Sequence, residues 1–186
     1  MCIEGAYINS VLRHFKLKSF LFVCVLLISG CSNNNQSSQI EDRDGLLYLQ
    51  GEDELFSGKI VDTLAQRILE YEVVDGKKNG EFKISSISGA VMMAGNIKNN
   101  LNEGLWRYYY PNGQVESAGN FEKFLSVGIW IWYFEIGKIR EVGYYKSGKK
   151  DGDWTIYNEE GDVARKIYFK DGRITDDKDF SRELIS

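Results

Sequence analysis

The residues of this chain that could do chemistry are few and unevenly placed. Its only histidine, His14, and its three cysteines, Cys2, Cys24 and Cys31, all lie within the first 31 of 186 positions. The rest of the chain therefore offers no histidine general base and no zinc site built on imidazole or thiolate ligands. The chemistry that these residues can support is confined to the N-terminal segment.

The carboxylates are weak candidates for catalysis or metal binding. Glu159 and Glu160 are adjacent, and Asp176, Asp177 and Asp179 form a second cluster. Carboxylates beside each other in turns or tails are ordinarily solvated, and the second cluster lacks the ordered spacing and glycine of a calcium-binding loop. We therefore expect no enzymatic activity, no metal and no cofactor.

The first thirty residues have the pattern of a secretory signal. Three basic residues precede an apolar run at positions 20–28, which is shorter than the roughly 20 residues that a membrane-spanning helix needs. The sequence Ile28–Cys31 then resembles the lipobox of bacterial lipoproteins, which implies a diacylglycerol on the sulfur of Cys31 and cleavage before it. Ser32 after that cysteine implies sorting to the outer membrane, facing the periplasm. An ordinary signal peptide with a chance cysteine is the alternative.

Removal of residues 1–30 would leave a formal net charge of −6, against −4 for the whole chain. An acidic chain of this kind is a poor partner for nucleic acid, and its net charge disfavours adhesion to anionic lipid. Residues 31–44 are almost all polar and cannot bury enough surface to order themselves. We expect them to form a flexible tether between the anchor and the following domain.

Glycine recurs with a fixed period of 24 residues, which predicts a tandem repeat whose units bury their apolar faces by stacking on one another. Between the glycines, β-branched and aromatic residues predict strands, and Pro111, Asn112 and Gly113 predict a hairpin turn. Phe124 stands where the other units have turn residues, which predicts a local change of turn type. The two glycine columns are Gly80, Gly104, Gly128, Gly152 and Gly89, Gly113, Gly137, Gly161.

These patterns predict an all-β fold, an elongated antiparallel meander of tandem β-hairpins with about ten strands. The repeat domain is expected at residues 45–175, with a polar cap or tail at residues 176–186. Two aromatic rows follow the period, and alternation along a strand places them on opposite faces. The candidate binding residues are Trp106, Trp130 and Trp154 in one row and Tyr109, Tyr133 and Tyr157 in the other. For the tryptophans, the alternative is that they form the packed face of the sheet itself.

The unit Gly-x-Trp-x-x-Tyr, followed by a turn glycine, an aliphatic and an aromatic residue, resembles the MORN repeat variant of bacterial antitoxin-like proteins over residues 45 to about 173. That resemblance implies an elongated sheet of successive hairpins. It also implies an antitoxin role, which the lipobox opposes, because a toxin acting in the cytoplasm is out of reach of a lipoprotein beyond the inner membrane.

Three hypotheses for function follow. The first is a non-catalytic scaffold lipoprotein, anchored to the membrane through lipid on Cys31, that presents its sheet to a protein partner. The second is an antitoxin or immunity-like protein that neutralises a toxin. The third is a module that binds cell-wall glycan, because aromatic hairpin repeats are also used for that purpose.

Overall fold

The computed structural model describes residues 40–180, and within them every regular element is a β-strand. No helix in this range is long and apolar enough to cross a membrane. The strands are β1 Ile40–Arg43, β2 Leu46–Leu49, β3 Gly58–Leu64, β4 Arg67–Val74, β5 Lys77–Ser86, β6 Val91–Lys98, β7 Leu101–Tyr109, β8 Val115–Glu122, β9 Leu125–Tyr133, β10 Ile139–Lys146, β11 Lys149–Lys150, β12 Gly152–Tyr157, β13 Val163–Lys170 and β14 Arg173–Asp179.

Twelve of these strands form one antiparallel sheet in which chain neighbours lie side by side, from β3 at one edge to β14 at the other. The short β11 pairs with β10, on the same side as β12. The all-β meander of tandem hairpins predicted from the sequence is confirmed, with twelve strands in place of about ten. Contacts between elements are local, as expected for a repeat array.

Two kinds of turn alternate along the sheet. Within the repeats from β5 onward, three-residue turns such as Pro111–Gly113 close each hairpin, and the backbone N–H of Gly113 donates to the carbonyl of Tyr110 at 2.9 Å. Between repeats, two-residue turns have positive φ at both positions, as type I′ hairpins require. Lys123 and Phe124 adopt φ values of 47° and 58° there, so the prediction of a different turn type at Phe124 was wrong. The sheet imposes the same turn on less suitable residues.

Each repeat also contains a bulge that explains one glycine column. Between the pairs Ala94–Arg107 and Asn96–Glu103, β7 holds two more residues than β6, and β9 exceeds β8 in the same way. Gly104 lies in this insertion with a φ of 68° and no atom near the position of a Cβ. Its glycine is therefore required by the left-handed backbone and not by crowding.

The N-terminal hairpin β1–β2 corrects one predicted boundary. Residues 40–44 were expected to belong to the flexible tether, but Ile40–Arg43 forms β1 and pairs with β2. Ile40 packs against a buried cluster that contains Leu47, Phe56 and Val73, and this contact supplies the apolar burial that the polar stretch before it lacks. Residues 31–39, with Cys31 and the rest of the tether, lie outside the described residues, as does the signal peptide.

The C-terminal end of the sheet corrects a second predicted boundary. The repeat domain was expected to stop at residue 175, yet β14 continues to Asp179 and pairs with β13 through Arg165–Asp179 and Ile167–Asp177. Every residue of β14 is exposed, and its charged sequence suits an edge strand that discourages pairing with another chain. Residues 181–186 of the predicted tail lie outside the described residues.

Candidate functional site

One face of the sheet is occupied by its own tryptophans. Trp106, Trp130 and Trp154 expose only 1%, 6% and 2% of their surface. Each indole lies against a glycine of the preceding strand, and a Cβ added at Gly95, Gly119 or Gly143 would lie closer than 3.0 Å to atoms of the ring. This third glycine column therefore exists to let the rings approach the backbone.

The bulges give each indole a hydrogen-bond acceptor. Because two extra residues interrupt the strand pairing, Trp106 Nε1 donates to the carbonyl of Asn96 at 3.1 Å. Trp130 Nε1 donates to Asn120 and Trp154 Nε1 to Tyr144, both at 3.2 Å, so the acceptors repeat with the same period of 24. A buried indole N–H without a partner would be destabilising, and here none is left unpaired.

Further aromatic side chains join the indoles into a continuous row along the sheet. Phe121 meets Trp130 edge to face at a centroid distance of 5.2 Å, and Tyr145 meets Trp154 in the same way at 5.3 Å. Near the end of the row the Lys150 ammonium lies 3.6 Å from the centroid of Trp154, and burial lowers the pKa of this lysine. We call this packed surface the inner face.

The inner face changes the list of candidate binding residues. Side chains as buried as Trp106, Trp130 and Trp154 cannot contact a partner without unpacking the sheet. We therefore remove them from the list of candidate binding residues. Tyr109, Tyr133 and Tyr157 are half-buried and face the other way, each paired across its hairpin with a β-branched residue. Sequence analysis had named both rows, on opposite faces, as binding candidates, and only the tyrosines have the exposure for that role.

The opposite surface, which we call the outer face, carries an exposed apolar patch that sequence analysis missed. On β9 every side chain that points outward is apolar, and Ile129 at its centre is 60% exposed. Tyr144 lies directly opposite Ile129 on β10 and is 44% exposed. Leu125 at the start of β9 is 41% exposed, and Leu105 on β7, across the exposed Asn120 of β8, is 38% exposed. We define these four residues as the β9 patch.

Polar groups flank the β9 patch on both sides. Toward β3, the Glu70 carboxylate pairs with the ammonium groups of Lys59 and Lys83, and these hydrogen bonds hold the pKa of Glu70 below its usual range. Toward β14, a shallow cleft of mixed charge includes Asp153, Lys166 and other side chains. An apolar centre with a polar border is the usual anatomy of a protein-binding surface.

The described residues include no cluster of three or more side chains that could hold a metal ion. Their strongly shifted tyrosines are explained by packing: burial raises the pKa of Tyr108 to about 12, and burial with Asp62 and Asp42 nearby does the same for Tyr71.

Comparison with known families identifies the repeat. Three successive segments, residues 102–123, 126–147 and 150–171, match the MORN repeat variant. The sheet contains tandem MORN repeats. The matched segments cover most of the hairpins β7–β8, β9–β10 and β11–β13, which include Leu105, Ile129 and Tyr144 of the β9 patch and the three buried tryptophans. No curated protein matches the chain.

MORN repeats indicate a repeat-based binding or scaffold protein. The match concerns the repeat unit and covers the second half of the sheet, whereas sequence analysis expected the resemblance from residue 45. The hairpins β3–β4 and β5–β6 continue the same meander with weaker aromatic columns. The signal that could have revealed the β9 patch was the alternation at positions 125–133, where both sets of side chains are mostly apolar.

Proposed function

We propose that this chain is a non-catalytic binding protein, anchored to the cell envelope through lipid on Cys31, that recognises a protein partner with the outer face of its MORN repeats. The observation that supports it most is the β9 patch. The tryptophans of the inner face are buried, whereas Ile129 and Tyr144 on the outer face are 60% and 44% exposed. Exposed apolar patches with polar borders mark interaction sites in soluble domains.

The half-buried tyrosines extend this surface. Tyr133 and Tyr157 lie on the same face as the β9 patch, toward the hairpin turns, and tyrosine combines apolar area with a polar tip. Aromatic anchors of this kind dominate the energy of many protein interfaces. The proposed binding surface therefore runs from Leu105 across β9 and β10 to these tyrosines.

The experiment is crosslinking in intact cells followed by affinity capture and mass spectrometry, with the N-terminal peptide weighed in the same digest. We expect one dominant protein partner and a lipidated Cys31. Ile129→Asp should reduce capture by about 30-fold or more, the effect of losing an interface anchor. Ile87→Asp is the matched control, because Ile87 is also 60% exposed but lies in a hairpin turn.

The outcome also separates the remaining hypotheses. Capture of a toxin through Ile129 would make the protein an immunity-like factor. That outcome would support the proposed binding surface and identify its partner as a toxin. Sedimentation of the protein with isolated cell wall, unaffected by Ile129→Asp, would favour glycan binding. Equal capture by the wild type and by Ile129→Asp would refute recognition through the outer face.

A further inference from the structure

The two edge strands of the sheet differ in how well they can accept a further strand. On β14, charged residues are the majority, and its pairing with β13 is interrupted by a bulge. Charges and bulges on an edge strand discourage pairing with another chain. On β3, the only charged side chains are those of Lys59 and Asp62, and its pairing has no bulge. Among the described residues, no strand lies along the free side of β3.

The regular geometry of β3 follows from the turn that ends it. Ala65 and Gln66 have φ values of 49° and 63°, so they form a two-residue turn of type I′. Every residue of β3, from Gly58 to Leu64, pairs with β4 in one unbroken register. The hairpins β5–β6, β7–β8, β9–β10 and β12–β13 close with three-residue turns instead, and each of them contains a register shift. The edge that β3 presents is therefore straight.

The same turn determines which backbone groups face the free side of β3. The two residues that flank a two-residue turn form a hydrogen-bonded pair, so the N–H and C=O of Leu64 point toward β4. Alternation along the strand then directs the backbone groups of Lys59, Val61 and Thr63 to the free side. These three residues are placed symmetrically about Val61.

This symmetry makes the edge complementary to itself. If a second copy lies antiparallel with Val61 opposite Val61, then Lys59 of each copy lies opposite Thr63 of the other. All three pairs are of the hydrogen-bonded kind, which gives roughly six hydrogen bonds. Asp62 faces Ile60 of the second copy, so no like charges are directly opposite, an arrangement that would be destabilising.

The edge carries one group that competes with such pairing. The carboxylate of Asp62 accepts the N–H of Thr63 at 2.7 Å, so this outward donor is occupied within the chain. In the paired edge, the carbonyl of Lys59 from the second copy takes its place. The side chain of Val61 is 37% exposed and lies on the outer face, where a pair of β-branched residues at the junction is favourable.

We propose that two copies of this chain pair antiparallel along β3, with Val61 on the two-fold axis, and form a dimer with one continuous sheet. The inference goes beyond the proposed function, because β3 is remote from the β9 patch. A two-fold axis perpendicular to the sheet keeps both outer faces on the same side. The dimer therefore presents two copies of the β9 patch in one direction, so that a partner can contact both.

The test is disulfide crosslinking of single-cysteine variants in intact cells, read on non-reducing gels. Residues opposite each other in a hydrogen-bonded pair have Cα atoms about 5.5 Å apart, which a disulfide can span. We expect Val61→Cys to give mostly dimer after oxidation. Lys59→Cys or Thr63→Cys alone should stay monomeric, whereas the two variants expressed together should crosslink to each other. The wild type, which keeps Cys31, is the control for native thiols.

Two proline variants separate edge pairing from stability. Added to the Lys59→Cys and Thr63→Cys pair, Val61→Pro removes a donor on the free side and leaves the bonds to β4 intact. The crosslink should fall about tenfold or more. Ile174→Pro is the matched control, because Ile174 is 55% exposed on the other edge and also lies beside the pair that flanks a two-residue turn. It should leave the yield unchanged.

A third variant tests the competing carboxylate. Asp62→Ala releases the N–H of Thr63 and removes a charge from the junction, so it should raise the crosslink yield from Val61→Cys at low expression. A lower yield would contradict the register.

The inference is overturned if Val61→Cys remains monomeric, or if Lys59→Cys, Val61→Cys and Thr63→Cys alone crosslink equally. A crosslink between position 61 and Lys178→Cys on β14 would also overturn it, since that product indicates head-to-tail pairing of copies. Ile129→Asp should not change the dimer. Loss of the dimer with partner capture intact therefore counts against this inference alone, and loss of capture with the dimer intact counts against the proposed function alone.

Discussion

Replacement of Gly119 by alanine tests how the sheet packs. The added Cβ would lie closer than 3.0 Å to the ring of Trp130, a separation that side chains essentially never show. The ring would have to retreat by about 1 Å, which is enough to lose a large part of its dispersion contacts. It would also stretch the bond from Trp130 Nε1 to the carbonyl of Asn120, which is 3.2 Å long.

The magnitude follows from these two losses. Overpacking of a well-packed core destabilises by about 1–3 kcal/mol, and a weakened hydrogen bond adds about 1 kcal/mol. We therefore expect Gly119→Ala to lower the free energy of unfolding by about 2–4 kcal/mol. The measurement is urea denaturation followed by circular dichroism near 215 nm, where the strand backbone dominates the signal.

A double-mutant cycle isolates the cause. In a Trp130→Leu background the ring is gone, so Gly119→Ala should have almost no further effect. Gly104→Ala is the control, because its Cβ meets no atom and its penalty comes from a left-handed backbone, so that penalty should persist in both backgrounds. A loss below about 0.5 kcal/mol for Gly119→Ala, or an equal loss in the absence of Trp130, would refute the packing argument.

Three further predictions concern turns and titration. Phe124→Gly should raise the free energy of unfolding by about 1 kcal/mol in urea melts, because glycine adopts its φ of 58° without strain; a decrease would contradict this. Burial raises the pKa of Tyr108 to about 12, above that of the unfolded chain, so the contribution of this phenol is complete below pH 10 and is lost as the pH rises toward 12. The unfolding midpoint should fall less steeply over that range in Tyr108→Phe. The pKa of Glu70 is lowered by its two lysine partners, so its contribution is present at neutral pH and is lost on acidification through that pKa. Glu70→Gln should lower the free energy of unfolding by less than about 1 kcal/mol at neutral pH, and the difference should vanish in acid.

The fold could be predicted from the sequence because the period is marked by glycines, which few other residue types can replace at those positions. Gly104 is needed for a left-handed backbone, and Gly119 for space under a ring. The first column runs on to Gly152, whereas the second ends at Gly143, because no tryptophan after Trp154 needs space at position 167. Lys123 and Phe124 misled the turn prediction because tertiary pairing on both sides forces a type I′ geometry that local preference would not choose. The predicted N-terminal boundary was wrong for a similar reason, since Ile40 is packed against residues as distant in the sequence as Phe56 and Val73.

The candidate site was less accessible from the sequence. The tryptophan row and the tyrosine row have the same period. The period alone therefore does not show which face of the sheet is packed and which is exposed. The structure resolves this because only the Trp106 row lies over glycines. The residues at positions 125–133 indicate that both faces of β9 are largely apolar, but they do not show that the face with Ile129 is the exposed one.

Recognition through the outer face is tested most directly by site-specific photocrosslinking in living cells. A photoreactive residue at position 129 should crosslink to one protein, and the same residue at position 87 should not, although Ile129 and Ile87 are equally exposed. Tyr144→Asp should abolish the crosslink from position 129 while the protein stays folded. Crosslinks of the same yield from both positions, or a product from position 129 that survives Tyr144→Asp, would contradict the account.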